Sequence, residues 1–157
     1  MKMIACAVAL LAFSAAALAA EPVVPAADQA AMLTSNDPQL AANKKLVFDM
    51  WRALLEGHQL DQADKFLAPE YHQHNPNAVT GRAGFVKYFQ AMGAKPVPVP
   101  DTIRGLVAIT AEGDLVTLAT VRNAKDSKGR AYTTTWFDMF RVRNGKIVEH
   151  WDCALKM

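Results

Sequence analysis

Between Trp136 and Asp152 the sequence WFDMFRVRNGKIVEHWD sets one carboxylate, Asp138, among aromatic and apolar neighbours. An acid in such company has two uses. Bonded to a Trp N–H, a Tyr hydroxyl or an Arg it is structural, since buried polar groups usually find partners. Placed in a pocket, it is a general base or acid within reach of a substrate proton. From spacing alone the structural use is the commoner, so other residues must decide. The second concentration of reactive side chains is YHQHNP, Tyr71 to Pro76, in which His72 and His74 form a His-x-His pair.

With His150 or a carboxylate, that pair could supply three metal ligands. Nothing in the sequence determines the third, and NPNAVTG lacks the glutamate that a cupin-type site carries after its histidines. No metal and no organic cofactor is expected. Cys153 has no histidine placed beside it by spacing and reads as a small buried filler.

The element that must position Asp138 is a hairpin. Asn144-Gly145 is a two-residue type I′ turn signal, which sets Arg143 opposite Lys146. An unbroken ladder then sets Asp138 opposite Trp151, Phe140 opposite Glu149 and Trp136 opposite Cys153. Because side chains alternate, those six share one face, while Phe137, Met139, Arg141, His150 and Asp152 share the other. The aromatic-rich face should meet the helices, which puts Asp138 indoors and His150 and Asp152 outdoors. A bulge would break this parity.

The rest of the chain supplies what the hairpin packs against. At 157 residues, 52% hydrophobic and 20% charged, the chain suits one domain. Residues 1–19 combine Lys2, an apolar run and the small-residue Ala17-Leu18-Ala19, the pattern of a secretory signal peptide. Export to the periplasm or medium is expected, and cleavage leaves no membrane anchor and Cys153 as the one remaining thiol, so no internal disulfide. Seventeen basic against 15 acidic residues, scattered rather than striped, exclude a nucleic-acid binder. Residues 20–37 read as a flexible leader, with structure beginning at Asp37. The domain, 38–157, opens with an Asp37-Pro38 cap and a helix running to Gly57. A shorter helix follows over 59–67, then an extended piece EYHQHNP, then a helix over 81–92 capped by Thr80. From Thr102 the pattern turns to strands, 102–111, 115–124, 130–143 and 146–153, as a four-stranded antiparallel meander. Helices followed by strands predict an α+β fold with helices on one face of a curved sheet.

Two segments together, YHQHNPNAVTGRAGFVKYF and FDMFRVRNGKIVEHWD, resemble the SnoaL-like (polyketide cyclase-type) branch of the NTF2-like superfamily. The matching positions are Tyr71, Gln73, His74, Asn75, Pro76 and Gly81, then Asp138, Phe140, Arg141, Gly145, Lys146, Ile147, Glu149, His150, Trp151 and Asp152. The resemblance implies a cone of curved sheet and three helices around an apolar pocket, paired as a homodimer through the outer sheet face. It implies cofactor-free proton transfer, with Asp138 as general base and His74 as its partner at the developing enolate oxygen. Tyr71, Gln73, Trp136, Phe140, Glu149 and Trp151 would line the pocket for a small apolar ligand.

Two functions of different classes follow. One is an exported enzyme performing aldol cyclisation or isomerisation on a small carbonyl compound; the other is a cone that only binds a small molecule. The state of Asp138, free in the pocket or locked away from it, discriminates them.

Overall fold

A computed structural model describes residues 21–156; the expected signal peptide lies outside the described residues. Helices α1 (Pro38–Met50), α2 (Ala63–Phe66) and α3 (Arg82–Ala91) pack on a curved five-stranded sheet. The strands are β1 (Leu67–Gln73), β2 (Leu106–Glu112), β3 (Leu115–Lys125), β4 (Ala131–Arg143) and β5 (Lys146–Asp152). Their spatial order is β1-β5-β4-β3-β2. The expected meander is β2 to β5. The extended piece before Pro76 is a fifth strand, β1, parallel to β5 and at the sheet edge.

Helix α1 begins as the Asp37-Pro38 signal predicts: Asp37 Oδ1 accepts from the N–H groups of Gln39 (2.7 Å) and Leu40 (3.4 Å), satisfying donors that the helix leaves open. Its second half departs from expectation. After Met50 the chain widens into a π-helical turn, Trp51–Glu56, closed by the Gly57 N–H on the Arg52 carbonyl at 2.8 Å. Gly57 is required there, because a Cβ would lie 2.9 Å from the Ala53 carbonyl oxygen. Helix α3 starts at Gly81 rather than at a Thr80 cap. The Thr80 hydroxyl instead donates to the Tyr71 carbonyl and accepts from the Gln73 N–H, both at 3.1 Å, tying the helix entry to β1.

The segment expected as a flexible leader is docked on the sheet. The Ala26 N–H donates to the Leu106 carbonyl at 2.8 Å, and the buried Gln29 amide closes a two-bond ring with the Ile103 backbone, 2.8 Å each way. Lys44, buried on α1, donates to the carbonyls of Met32 (2.6 Å) and Thr34 (2.5 Å). Ordered structure thus precedes Asp37, because the segment hands its backbone and amide groups to partners that would otherwise be unsatisfied.

The hairpin corrects the parity argument. Asn144 (φ 49°) and Gly145 (φ 69°) take the left-handed conformations of the expected turn, and Arg143 faces Lys146. One pair further on the register shifts: Val142 pairs with Ile147 but Arg141 with Glu149, so Val148 is a bulge. Beyond it Phe140 faces His150, Met139 faces Trp151 and Asp138 faces Asp152. The β4 half of the expectation stands, with Asp138 and Phe140 buried. The β5 half is inverted: His150 and Asp152 turn inward, Glu149 and Trp151 outward. The physical reason is charge. An unbroken ladder would bury Glu149 in the apolar interior, whereas the bulge leaves it outside against Arg141, 2.9 Å away, and stacks His150 on Phe140 at 4.3 Å. Cys153 is exposed rather than a buried filler.

The core lies between α1 and the sheet, where Val47, Met50 and Leu54 meet Leu106, Val116, Leu118, Phe140 and Ile147. Among the described residues no helix is long and apolar enough to cross a membrane.

Candidate functional site

A cavity of about 180 Å³ opens between the helices and the inner face of β1, β4 and β5. Its apolar wall is Met50, Leu55, Leu67, Phe85, Phe89 and Phe140; its polar end is Tyr71, Gln73, Asn75, Asp138, His150 and Asp152. The π-helical turn carries Leu55 into this wall. An apolar wall with polar groups gathered at one end suits a small-molecule site. The volume is small for such sites, near the roughly 150 Å³ that admits a benzene ring. A larger open groove of about 910 Å³ follows the β3–β4 hairpin. Its ion pair, Arg130 to Asp126 at 2.7 Å, is exposed and self-satisfied, whereas the smaller cavity holds buried polar groups.

The polar end is one connected network. Gln73 Oε1 accepts the Asn75 backbone N–H at 2.8 Å. Gln73 Nε2 donates to His150 Nδ1 at 2.8 Å and to the Tyr71 hydroxyl at 3.3 Å. With Nδ1 accepting, the imidazole proton sits on Nε2, which donates to Asp138 Oδ1 at 3.0 Å. The other carboxylate oxygen, Asp138 Oδ2, is buried and has no protein partner. Asp152 is held from two sides, Oδ2 by Asn75 Nδ2 (2.7 Å) and Oδ1 by the Ala154 N–H (2.8 Å).

Tyr71 is 1% exposed. Burial, then the charges of Asp152 and Asp138, push its hydroxyl far above the ordinary phenol value. It therefore keeps its proton and can donate it to a ligand oxygen. Among the described residues no Lys or Arg lines the cavity, so an anionic ligand would meet two carboxyl groups with no cation from these residues to offset them.

Of the expected pocket residues, Asp138, Tyr71, Gln73 and Phe140 line this cavity. His74, Glu149 and Trp151 do not. His74 stacks on Trp151 (4.9 Å, 6° between planes) and bonds Glu149 Oε1 at 2.8 Å on the outer sheet face. Its expected place beside Asp138 is taken by His150. Alternation on β1 already sets His74 with exposed His72, away from Tyr71 and Gln73, and so pointed to this outcome. Trp136 shares the face of Asp138 but sits beyond the cavity, under the Arg122 guanidinium at 4.2 Å. His150, Asp152 and, as a lining residue, Asn75 were not expected in the site. The first two were hidden by the bulge, whose one hint in the sequence was Glu149, a charge that an unbroken ladder would have buried opposite Phe140.

Asp138, His150 and Asp152 bring ligand atoms within 4.8 Å of one another, a possible metal grouping. The hydrogen bonds do not suit that use. A ligating histidine donates its other ring N–H outward, but here Gln73, pinned by Asn75, presents a donor to Nδ1. His72 and His74, the pair considered from sequence, lie on the outer face with rings 4.6 Å apart.

The SnoaL-like domain family matches residues 48–150. No curated protein matches the chain. Among solved structures, a candidate polyketide cyclase of Acidithiobacillus ferrooxidans is 18% identical over 76% of this chain and 89% of its own, TM-score 0.53. Wild-type IdmH of Streptomyces antibioticus, likewise a candidate polyketide cyclase, is 26% identical over 70% and 89%, TM-score 0.50. An LEH-like epoxide hydrolase of M. tuberculosis is 16% identical over 73% and 84%, TM-score 0.53.

Proposed function

This chain belongs to the SnoaL-like domain family, and we propose that it is a proton-transfer enzyme of cyclase or isomerase type, acting on a small apolar carbonyl compound. The observation that carries this reading is Asp138: buried in the cavity wall, with one oxygen held by His150 and the other free of protein partners. Asp138 Oδ2 takes the proton from the carbon next to the carbonyl. The electron pair moves to the carbonyl oxygen, which the Tyr71 O–H holds as it gains charge. Return of the proton to the γ carbon of a β,γ-unsaturated substrate, through its conjugated dienolate, completes an isomerisation; attack of the enolate carbon on a second carbonyl, whose oxygen takes the proton back from Asp138, completes an aldol closure. Water exclusion strengthens both interactions. A cavity of about 180 Å³ favours a substrate of about one substituted ring, uncharged at the reacting end. The resemblance to IdmH supports the cyclase type.

The deciding experiment is deuterium exchange next to the carbonyl, followed by NMR across a panel of small enolisable ketones and aldehydes. Asp138→Asn, close to isosteric, should fold normally and lose exchange by about 10²- to 10⁴-fold, the usual worth of a general base. Equal exchange by the variant would overturn the assignment. Ligands that enter the cavity without exchange in the wild type would favour the binding-only reading.

Export after cleavage near Ala19 belongs to the same reading and is supported by the pattern of residues 1–19. Pairing of two copies through the outer sheet face is supported by half-exposed Phe137 on that face. The mass of the released protein and its sedimentation behaviour test the two points.

A further inference from the structure

We propose that Gln73 is the positioning residue of the site: it sets the tautomer of His150 and thereby leaves Asp138 Oδ2 as the free base. The Asn75 backbone N–H can only donate. The Asn75 N–H faces one end of the Gln73 amide at 2.8 Å, so that end is the oxygen. The nitrogen end then faces His150 Nδ1 at 2.8 Å as a donor. An imidazole that accepts at Nδ1 carries its proton at Nε2, and Nε2 lies 3.0 Å from Asp138 Oδ1. The chain of bonds runs in one direction, from the Asn75 backbone to the carboxylate.

The ring has little freedom to answer otherwise. His150 stacks on Phe140 with 5° between planes, so it is held face-on as well as edge-on. The titratable groups around the same cavity are Asp138 on β4, Asp152 on β5 and Tyr71 on β1; α1 and α3 present Met50, Phe85 and Phe89. Gln73 thus acts on the base through His150 rather than on the ligand, which revises the ligand-positioning role that its place in the motif implied. The parallel pairing of Gln73 with His150 between β1 and β5 is the element-level cause. It explains why a strand outside the meander is part of the site.

The catalytic consequence rests on the general-base reading of Asp138; the tautomer does not. The test therefore reads both. Long-range ¹⁵N–¹H correlation of the imidazole rings distinguishes a protonated from an unprotonated ring nitrogen. The spectra of His58, His72 and His74 are assigned by their own substitutions. In the wild type, His150 should show an unprotonated Nδ1 and a protonated Nε2. In Gln73→Glu, the same length of side chain offers Nδ1 an acceptor in place of a donor. His150 should then carry protons on both nitrogens between two carboxylates, and deuterium exchange should fall about 10- to 100-fold, the range that outer partners of a working histidine command. A protonated Nδ1 in the wild type, or an unchanged His150 spectrum in a folded Gln73→Glu, would overturn the proposal. The expected tautomers without any exchange in the wild type would uphold Gln73 and sink the general-base reading.

Discussion

Asp138 joins two properties that the proposed general base needs and that usually conflict, a fixed position and an oxygen without a partner. Oδ1 is held by His150, while Oδ2 is buried and has no protein partner. Tyr71 is the complementary group. Its proton is secured by burial and by the neighbouring carboxyl charges of Asp152 and Asp138, which suits it to the proposed role of donor to a ligand oxygen. Tyr71→Phe removes that donor and little else, since the Gln73 amide keeps its bond to His150. Exchange should drop by about 10²- to 10³-fold with the thermal midpoint nearly unchanged. A variant that exchanges like the wild type would show that the oxyanion is held elsewhere. Alternation placed Asp138 and Phe140 on the buried side, while Tyr71 and Gln73 entered the expected site only through the family motif. His150 and Asp152 were not expected there, because their facing depends on the bulge at Val148.

The elements matter through their irregularities. The Val148 bulge turns two polar residues inward and sends Glu149 to Arg141. The π-helical turn after α1 brings Leu55 to the cavity and sets Trp51 edge-on to Phe140 at 6.4 Å. The segment before α1 behaves as part of the fold, and Gln29 is its anchor. Gln29→Ala would leave the Ile103 N–H and carbonyl buried without their side-chain partner, at a cost of about 1–3 kcal/mol for such a group. Urea denaturation should show the midpoint lowered with little change in slope. An unaltered midpoint would mean that the segment contributes nothing to stability. None of this was legible in AEPVVPAADQAAMLTSND, whose Ala and Pro content lacks any period, since its order comes from bonds to residues some 70–110 positions away.

At the scale of the molecule, the two faces of the sheet carry different chemistry. Inside is the apolar cavity. Outside, Arg141 donates to Asp114 at 2.8 and 2.9 Å and to Glu149 at 2.9 Å, and His74 completes the cluster. The Arg141 hydrogen bonds hold the Asp114 carboxyl below its ordinary range. The His74 hydrogen bond, followed by Arg141, does the same for Glu149. Carboxyls depressed in the folded state stabilise it above their unfolded values, near 3.8 for Asp114 and 4.5 for Glu149. That contribution fades as pH falls through the lower, folded values. Stability measured by denaturant should therefore be flat near neutrality and decline below about pH 4.5. In Arg141→Met the decline should be shallower, because both carboxyls lose a partner. The same acid dependence in the variant would place its origin elsewhere in the chain.

What the sequence by itself determined is what depends on neighbours along the chain: the Asp37-Pro38 helix start, the Asn144-Gly145 turn, the strands of the meander, and Asp138 and Phe140 on the buried side of β4. The family motifs extended this to the α+β cone. Only the tertiary structure decided which histidine meets Asp138. That choice turns on one unpaired residue in β5 and on β1 joining β5 in parallel, contacts between segments far apart in sequence. Beyond the Glu149 charge, local patterning carries no information on either, because a bulge costs little locally and is selected by which charges it keeps out of the core.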